Sequence, residues 1–154
     1  MKLSAKGKVA ITSLVDMAIH NTGKPIKLSE IATRQNVSLK FLEQIFFLLR
    51  KNGIVNSRRG PCGGYVFARD PSLVMIYDVI KAIEEELKIN NFNNNKYLSF
   101  SASNNNFKCI THNLWSELNN HILNFLTSIS IEDVKFNNFL NKMHENVEKI
   151  SINN

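Results

Sequence analysis

The stretch SLKFLEQIFFLLRKNGIVNSRRGPCGGYVF, residues 38–67, contains the two elements that decide the fold. It opens at Ser38, a residue type that favours helix N-caps. Apolar residues then recur at helical spacing until the stop signal at Gly53. Two segments with strand composition follow at 54–58 and 65–68, joined by a glycine-rich loop. The stretch therefore predicts a helix followed directly by a β-hairpin.

Two more helices are expected before this stretch. Apolar spacing predicts a first helix from about Ser4 to Asn21 and a short one from about Lys27 to Gln35. Asn36 suits a left-handed C-terminal cap, so a turn of about three residues joins the second helix to the third. This is the helix-turn-helix arrangement. The apolar faces predicted for the first and third helices are Val9, Ile11, Leu14, Val15, Ala18 and Ile19, and Leu39, Leu42, Ile45, Phe46 and Leu49.

A β-hairpin directly after a helix-turn-helix is a wing. The third helix leaves polar and basic side chains off its apolar face, and these are the residue types that meet base edges and phosphates in a major groove. The arginines at the hairpin tip suit a phosphate or a narrow minor groove. The expected DNA contacts are Ser38, Lys40, Phe41, Glu43, Gln44, Arg50 and Lys51 of the helix, with Arg58 and Arg59 of the wing.

The loop RRGPCGG, residues 58–64, has three competing interpretations: a phosphate-binding P-loop, a reactive thiol, or the tip of a β-hairpin that touches a negatively charged partner. A P-loop requires a Lys-Ser/Thr pair and a following helix, whereas this loop lacks the pair and a strand follows it. A reactive thiol at Cys62 stays open, because the neighbouring arginines favour a thiolate. The alternative is a small residue tolerated at an exposed turn.

Charge is spread unevenly along the 154 residues. Residues 1–70 carry twelve Lys/Arg against four Asp/Glu, and residues 71–154 carry seven against nine. A basic front half suggests a polyanion-binding module, although a solvated basic surface gives the same count. Two cysteines do not make a secreted disulfide framework, and no apolar run is long enough for a bilayer. A cytoplasmic protein without membrane contact is expected.

The second half predicts a dimerisation element. A helix-like stretch runs to Leu87, and the segment 89–106 contains eight Asn in eighteen residues, typical of a loop. Thr111 is expected to cap a long helix with an apolar stripe, which would pair with a second copy or pack on the chain's own first helix. A turn at Ser130 and a tail with one weak helix complete the chain.

The predicted fold is mainly α with a small β-hairpin wing, a winged helix-turn-helix plus a long dimerisation helix. Its expected divisions are the DNA-binding domain at 1–72, a connecting helix at 73–88, an Asn-rich loop at 89–110, the dimerisation helix and turn at 111–135, and a polar tail at 136–154.

Three motifs make the sequence similar to a known family. MKLSAKGKVAITSLVDMAIH, LSEIATRQNVSLKFLEQIFFLLRKNGIVNSRRGP with the GGY that follows, and KCITHNLW resemble the IscR family of winged-helix regulators. The resemblance runs from residue 1 to about 88 and resumes from about 108 to 134. It implies a homodimeric transcription factor of iron–sulfur cluster biogenesis or related stress genes, bound to double-stranded DNA.

The resemblance also implies a [2Fe–2S] cluster held by three cysteines and one histidine. Cys109 and His112 match the last part of that pattern, but the preceding Asn-rich segment has no cysteine. Because a cluster needs about four protein ligands, the cofactor is left open. The alternatives are a cluster within one chain, a cluster or metal shared across the dimer, and a remnant site in a cluster-independent regulator.

Two other classes of function were weighed against the regulator. A thiol enzyme would need an acid or base in reach of Cys62 or Cys109, and none is visible in the sequence. A protein-interaction adaptor on the same scaffold has no need of a basic front half with an arginine-tipped wing. An enzyme is therefore not expected.

Overall fold

The computed structural model describes the backbone of residues 4–84 and 105–139, and the side chains of 4–84 and 113–139. These residues form a mainly helical fold with one two-stranded antiparallel sheet, as predicted. The elements are α1 (Ala5–Ile19), α2 (Leu28–Gln35), α3 (Leu39–Lys51), β1 (Val55–Arg58), β2 (Gly64–Phe67), a 3-10 helix (Pro71–Leu73), α4 (Ile76–Ile83), α5 (Asn105–Ser128) and α6 (Ile131–Lys135).

Local signals set the ends of the helix-turn-helix as the sequence predicts. Asn36 ends α2 in the left-handed conformation, with φ 51°. The Ser38 side chain accepts a hydrogen bond from the Phe41 amide at 3.2 Å and so caps α3. Gly53, with φ 69°, follows the end of α3 and turns the chain towards β1. The end of α2 and both ends of α3 are thus marked by short-range chemistry.

One hydrophobic core joins α1, α2, α3, α4 and α6. Leu42, Ile45, Phe46 and Leu49 of α3 are buried in it as predicted. Two residues predicted for the core are exposed instead: Ile19 by 56% and Leu39 by 42%. Both lie at a helix end, where the apolar stripe has already turned away from the neighbouring elements.

The second strand of the hairpin is paired on both of its edges. β1 and β2 are antiparallel, with Arg58 opposite Gly64 at the tip end. On the other side of β2, Ile26 and Tyr65 exchange two backbone hydrogen bonds of 2.9 and 2.8 Å. The sequence gives no sign of this pairing, because Ile26 lies in a short segment between the break after α1 and the start of α2. A Cβ on Gly64 would collide with the Ile26 backbone, so the close approach depends on glycine.

The long helix begins earlier than predicted. α5 spans 24 residues from Asn105, so Thr111 lies inside it and does not cap it. The prediction was wrong because each Asn costs a helix at most about 0.7 kcal/mol, which is too little to stop a helix that is already formed. The expected divisions at 89–110 and 111–135 shift accordingly. The remainder of the Asn-rich loop, the continuation to Leu87 and most of the tail lie outside the described residues.

The C-terminal end of α5 is fastened to the body. Ser130 is more than the predicted turn, since it caps α6 in a capping box with Asp133. Ile76 donates its amide to the Ile129 carbonyl and Ile131 donates to the Val74 carbonyl, both at 2.9 Å. α6 then packs against α1, and α5 itself packs against α4.

A buried ion pair joins α1 to α2. The Asp16 carboxylate, 5% exposed, accepts hydrogen bonds from the Arg34 guanidinium at 2.6–3.1 Å and from the Gln35 amide at 2.8 Å. Burial alone would raise the pKa of Asp16. The bonds from Arg34 and Gln35, with the charges of Arg34 and His20, outweigh that cost and lower the pKa below its ordinary value.

Of the helices that the structure describes, none combines the length and apolar character needed to cross a bilayer.

We expect Arg34→Ala to lower the free energy of unfolding by about 2–3 kcal/mol, because it leaves the Asp16 carboxylate buried without its main partner. Urea denaturation at neutral pH measures this. Arg69→Ala is the matched control, since the Arg69–Asp78 pair is exposed on both sides and should contribute less than about 1 kcal/mol. Equal losses in the two variants would contradict a special role for the buried pair.

The loss of unfolding free energy caused by Arg34→Ala should depend on pH. A lowered pKa in the folded state means that Asp16 stabilises the fold above the ordinary carboxyl pKa of about 3.9 and loses this effect as the pH falls through its folded-state pKa. The difference in the free energy of unfolding between wild type and Arg34→Ala should therefore become smaller below about pH 4.

Candidate nucleic-acid interface

The exposed face of α3 is polar and regular. Lys40, Glu43, Gln44 and Phe47 recur at the three- and four-residue spacing of one helical face, opposite the buried stripe. All four side chains are exposed. Thirteen residues make a helix about 20 Å long, a size that the major groove accommodates. This face can offer an ammonium donor, a carboxylate acceptor, an amide and an apolar ring to base edges.

Two residues of the expected DNA-contact set have structural contacts of their own. Ser38 uses its hydroxyl oxygen to cap α3. The residue is nevertheless exposed, at the N-terminal end of the predicted contact face. Phe41 is half-buried and packs against the hydrophobic core. The ring of Phe41 therefore contributes to the fold, and it differs in this from the fully exposed residues beside it.

Arg50 connects the exposed face of α3 to the wing. Its guanidinium donates to the Ser57 hydroxyl of β1 at 3.2 Å and lies 5.9 Å from the centre of the Phe47 ring. Lys51, the next residue, is exposed in the last turn of the helix. The contact of Arg50 places α3 and the wing on one continuous surface.

The wing tip is a tight turn that carries exposed cations. Gly63 donates its amide to the Gly60 carbonyl at 2.9 Å, and Gly60 has φ 114°, which only glycine adopts without strain. A Cβ on Gly63 would lie 2.6 Å from the Arg58 carbonyl oxygen. Arg58, Arg59 and the free Cys62 are all exposed around this turn. The glycines thus hold two guanidinium groups outward.

Lys6 of α1 belongs to the same surface, which the sequence did not predict. It lines one shallow groove together with Lys40, Glu43, Gln44 and Phe47 of α3, with Leu48 as part of the floor. No spacing rule links Lys6 to a helix more than thirty residues later. The only available signal was the basic character of the first ten residues.

The chain has fewer cysteines than the set of three cysteines and one histidine that the resemblance implies for a [2Fe–2S] cluster. The chain has two cysteines, and Cys62 is exposed in the wing loop. Cys109 and His112 lie in α5, and their side chains are outside the described residues. The sequence has no Asp or Glu between residues 87 and 112. In the part of the chain that the structure describes, no three His, Cys, Asp or Glu side chains are grouped to hold a metal ion.

Comparison with known proteins finds close similarity over most of the chain. Residues 3–137 match the Rrf2 family, described as iron-dependent transcriptional regulators. The chain is 39% identical over 134 residues to the HTH-type transcriptional regulator IscR of Photorhabdus laumondii, covering 87% of this chain and 79% of that protein. It is 36% identical to IscR of Escherichia coli K12, covering 87% and 80%.

Solved structures agree with the sequence matches. T. potens IscR is 33% identical with a TM-score of 0.66, covering 87% of this chain and 85% of that one. CymR, described as the global cysteine regulator of B. subtilis, is 27% identical with a TM-score of 0.71, covering 88% and 96%. These relatives are transcriptional regulators. The resemblance to the IscR family and the expectation of a DNA-binding regulator, not an enzyme, are confirmed.

Proposed function

This chain belongs to the Rrf2 family of transcriptional regulators, and we propose that it acts in the cytoplasm as a homodimer on a two-fold symmetric DNA site. α3 enters the major groove and the wing reaches the adjacent minor groove. The observation that carries this proposal is the Arg50–Ser57 hydrogen bond, which joins the exposed face of α3 to β1. A bridge of this kind fixes the separation of the two DNA-contacting elements.

The contacts are divided by their chemistry. Lys40, Glu43 and Gln44 lie in the first half of α3 and are proposed to meet base edges or nearby phosphates. Lys51, at the end of the helix, suits a phosphate. Arg59 is proposed to enter the minor groove, because it immediately precedes the turn that begins at Gly60. Arg50 is engaged with the wing and is proposed to position it as well as to add charge near the DNA.

Glu43 is the one acidic residue expected among the DNA contacts, and we propose that it gives discrimination. A carboxylate accepts a hydrogen bond from the amino group of cytosine and repels phosphates when the register is wrong. Its cost to affinity is offset by the surrounding cations. Its benefit is a larger difference in affinity between correct and incorrect sites.

We expect Glu43→Ala to relax specificity more than it weakens binding. The measurement uses duplexes that the wild-type protein enriches from a random pool, together with point variants of the enriched site. Affinity for the variant sites should rise relative to the enriched site, by about 1–3 kcal/mol at one base pair. Leu39→Ala, a change at an exposed residue of the same helix, is the control. A uniform loss on every duplex would contradict the role of Glu43.

Dimerisation is proposed from the apolar face of α5. Leu114, Leu118 and Phe125 are exposed by 61%, 40% and 39%, and helical spacing places them along one stripe with the half-buried Ile122. Such a row on a helix that packs mainly against α4 is typical of a surface covered by a second copy. A two-fold dimer would present two copies of α3 to half-sites about 34 Å apart, or a multiple of that distance.

Leu118→Asp should produce a folded monomer. Leu118 is partly exposed in the single chain, so the carboxylate can remain hydrated there, whereas in a dimer it would be buried without a partner at a cost of several kcal/mol. Light scattering gives the mass, and circular dichroism verifies the fold. Asn120→Asp, which adds the same charge at another exposed position of α5, should remain dimeric. A monomeric wild-type protein at micromolar concentration would contradict the proposal.

We propose that DNA binding by this chain does not require an iron–sulfur cluster. Each chain carries Cys109 and His112 in α5, and its other cysteine is Cys62 of the wing. That set falls short of the four ligands that a cluster needs. A cluster shared by two chains could draw on two copies of this pair, and it is the alternative that the experiment must separate.

Protein purified without oxygen should show no visible iron–sulfur absorption and no stoichiometric iron. Its affinity for the enriched duplex should be unchanged after treatment with a chelator. The result that overturns this is a visible band with bound iron that disappears in Cys109→Ala but persists in Cys62→Ser. That pattern would establish a cluster bound through Cys109, and a stoichiometry of one cluster for two chains would assign it to the dimer.

A further inference from the structure

The groove between α1 and α3 brings a cation from outside the helix-turn-helix to the DNA-facing surface. Lys6 of α1 lines it together with five residues of α3: Lys40, Glu43, Gln44, Phe47 and Leu48. Lys6 is exposed, while its neighbour Gly7 is buried against the body. The first turn of α1 is therefore packed closely, and its lysine extends beside the face of α3.

Within the part of the chain that the structure describes, the ammonium of Lys6 is not paired with a carboxylate. Among the described residues, no carboxylate lies within 4.0 Å of the Lys6 or Lys40 ammonium, although Glu43 lines the same groove. The first turn of α1 is held in place, because the Ser4 side chain accepts from the Gly7 amide at 3.1 Å and the Ser4 amide donates to Glu84 at 3.0 Å. A fixed helical turn thus presents a flexible, unpaired cation.

We propose that Lys6 contacts a phosphate of the DNA backbone at the edge of the major groove that α3 occupies. This inference rests on the proposed insertion of α3 and extends the DNA interface to α1. A phosphate fits better than a base edge for two reasons. Lys6 belongs to the helix beside α3, which would face the rim of the groove, and a lysine ammonium binds phosphate as a point charge.

The test is a salt titration of affinity for the duplex that wild type enriches from a random pool, and for an unrelated duplex. Lys6→Gln should lower the slope of log affinity against log salt by about 1.8 on both duplexes, because the dimer releases two fewer counterions, one for each protomer. Lys135→Gln, which removes the same charge from α6, should leave the slope unchanged. Arg59→Gln reports separately on the wing.

Glu43→Gln provides the background that separates two roles of Lys6. If Lys6 touches phosphate, Lys6→Gln lowers the slope equally with Glu43 or Gln at position 43. If Lys6 only positions Glu43, its effect disappears in the Glu43→Gln background, and the inference is overturned. Phosphate ethylation interference gives the same answer by position: one interfering phosphate in each half-site of the wild-type complex should be lost in Lys6→Gln.

The remaining outcomes are distinct. An unchanged slope in Lys6→Gln, with a lowered slope in Arg59→Gln, overturns the inference and leaves the proposed function standing. A loss of discrimination between the enriched and unrelated duplexes in Lys6→Gln would show a base contact and would also overturn it. If wild type enriches no sequence, the proposed function itself fails.

Discussion

The surface proposed to contact DNA depends on the backbone pairing between Ile26 and Tyr65. Tyr65 pairs with Ser57 on one side and with Ile26 on the other, and its ring meets the ring of Phe46 edge-on at 5.0 Å. β1, the segment entering α2, and α3 therefore all meet at this one residue. A wing attached only through β1 would be a two-stranded hairpin, which is marginally stable by itself. The second pairing makes it part of the helix-turn-helix.

A second constraint acts at the opposite end of α2. The Asp16 carboxylate accepts hydrogen bonds from Arg34 and Gln35, the last two residues of α2 before the turn. α2 is thus held by backbone pairing at its beginning and by an ion pair at its end. The turn at Asn36 begins from a fixed point, so the direction of α3 is set by α1. The position of Lys6 relative to α3 is consequently fixed by the packing of α1.

The sequence predicted what short-range chemistry decides. The caps at Ser38 and Asn36 and the stop at Gly53 are each recognisable within a few residues, and each is present. The apolar stripes predicted on α1 and α3 are buried or partly buried in the middle of each helix but exposed at Ile19 and Leu39. Periodicity along one helix does not tell where a neighbouring element ends. The predicted N-cap at Thr111 was wrong for a related reason, because a residue that suits an N-cap does not cap a helix that has already started.

Long-range contacts could not be predicted in this way. The Ile26–Tyr65 pairing, the Asp16–Arg34 pair and the approach of Lys6 to α3 join residues that no local pattern relates. For the candidate site, the exposed face of α3 and the arginines of the wing were predicted as a group from composition and order. The link between them through Arg50 and Ser57 required the structure. The roles of individual residues on DNA remain predictions.

The fastening of α5 at Ile129 and Ile131 gives the molecule a mechanical property. A helix of 24 residues is about 36 Å long, and it is held to the body near its C-terminal end by backbone hydrogen bonds on either side of Ser130. This fastening makes the C-terminal end of α5 the natural pivot for any change in the direction of the helix. A rotation of 10° at the pivot would move the far end by about 6 Å, nearly two base-pair steps of duplex. In the proposed dimer, small changes in packing around residues 129–131 would therefore alter the operator spacing that the two copies of α3 fit, without altering any residue of the proposed DNA contacts.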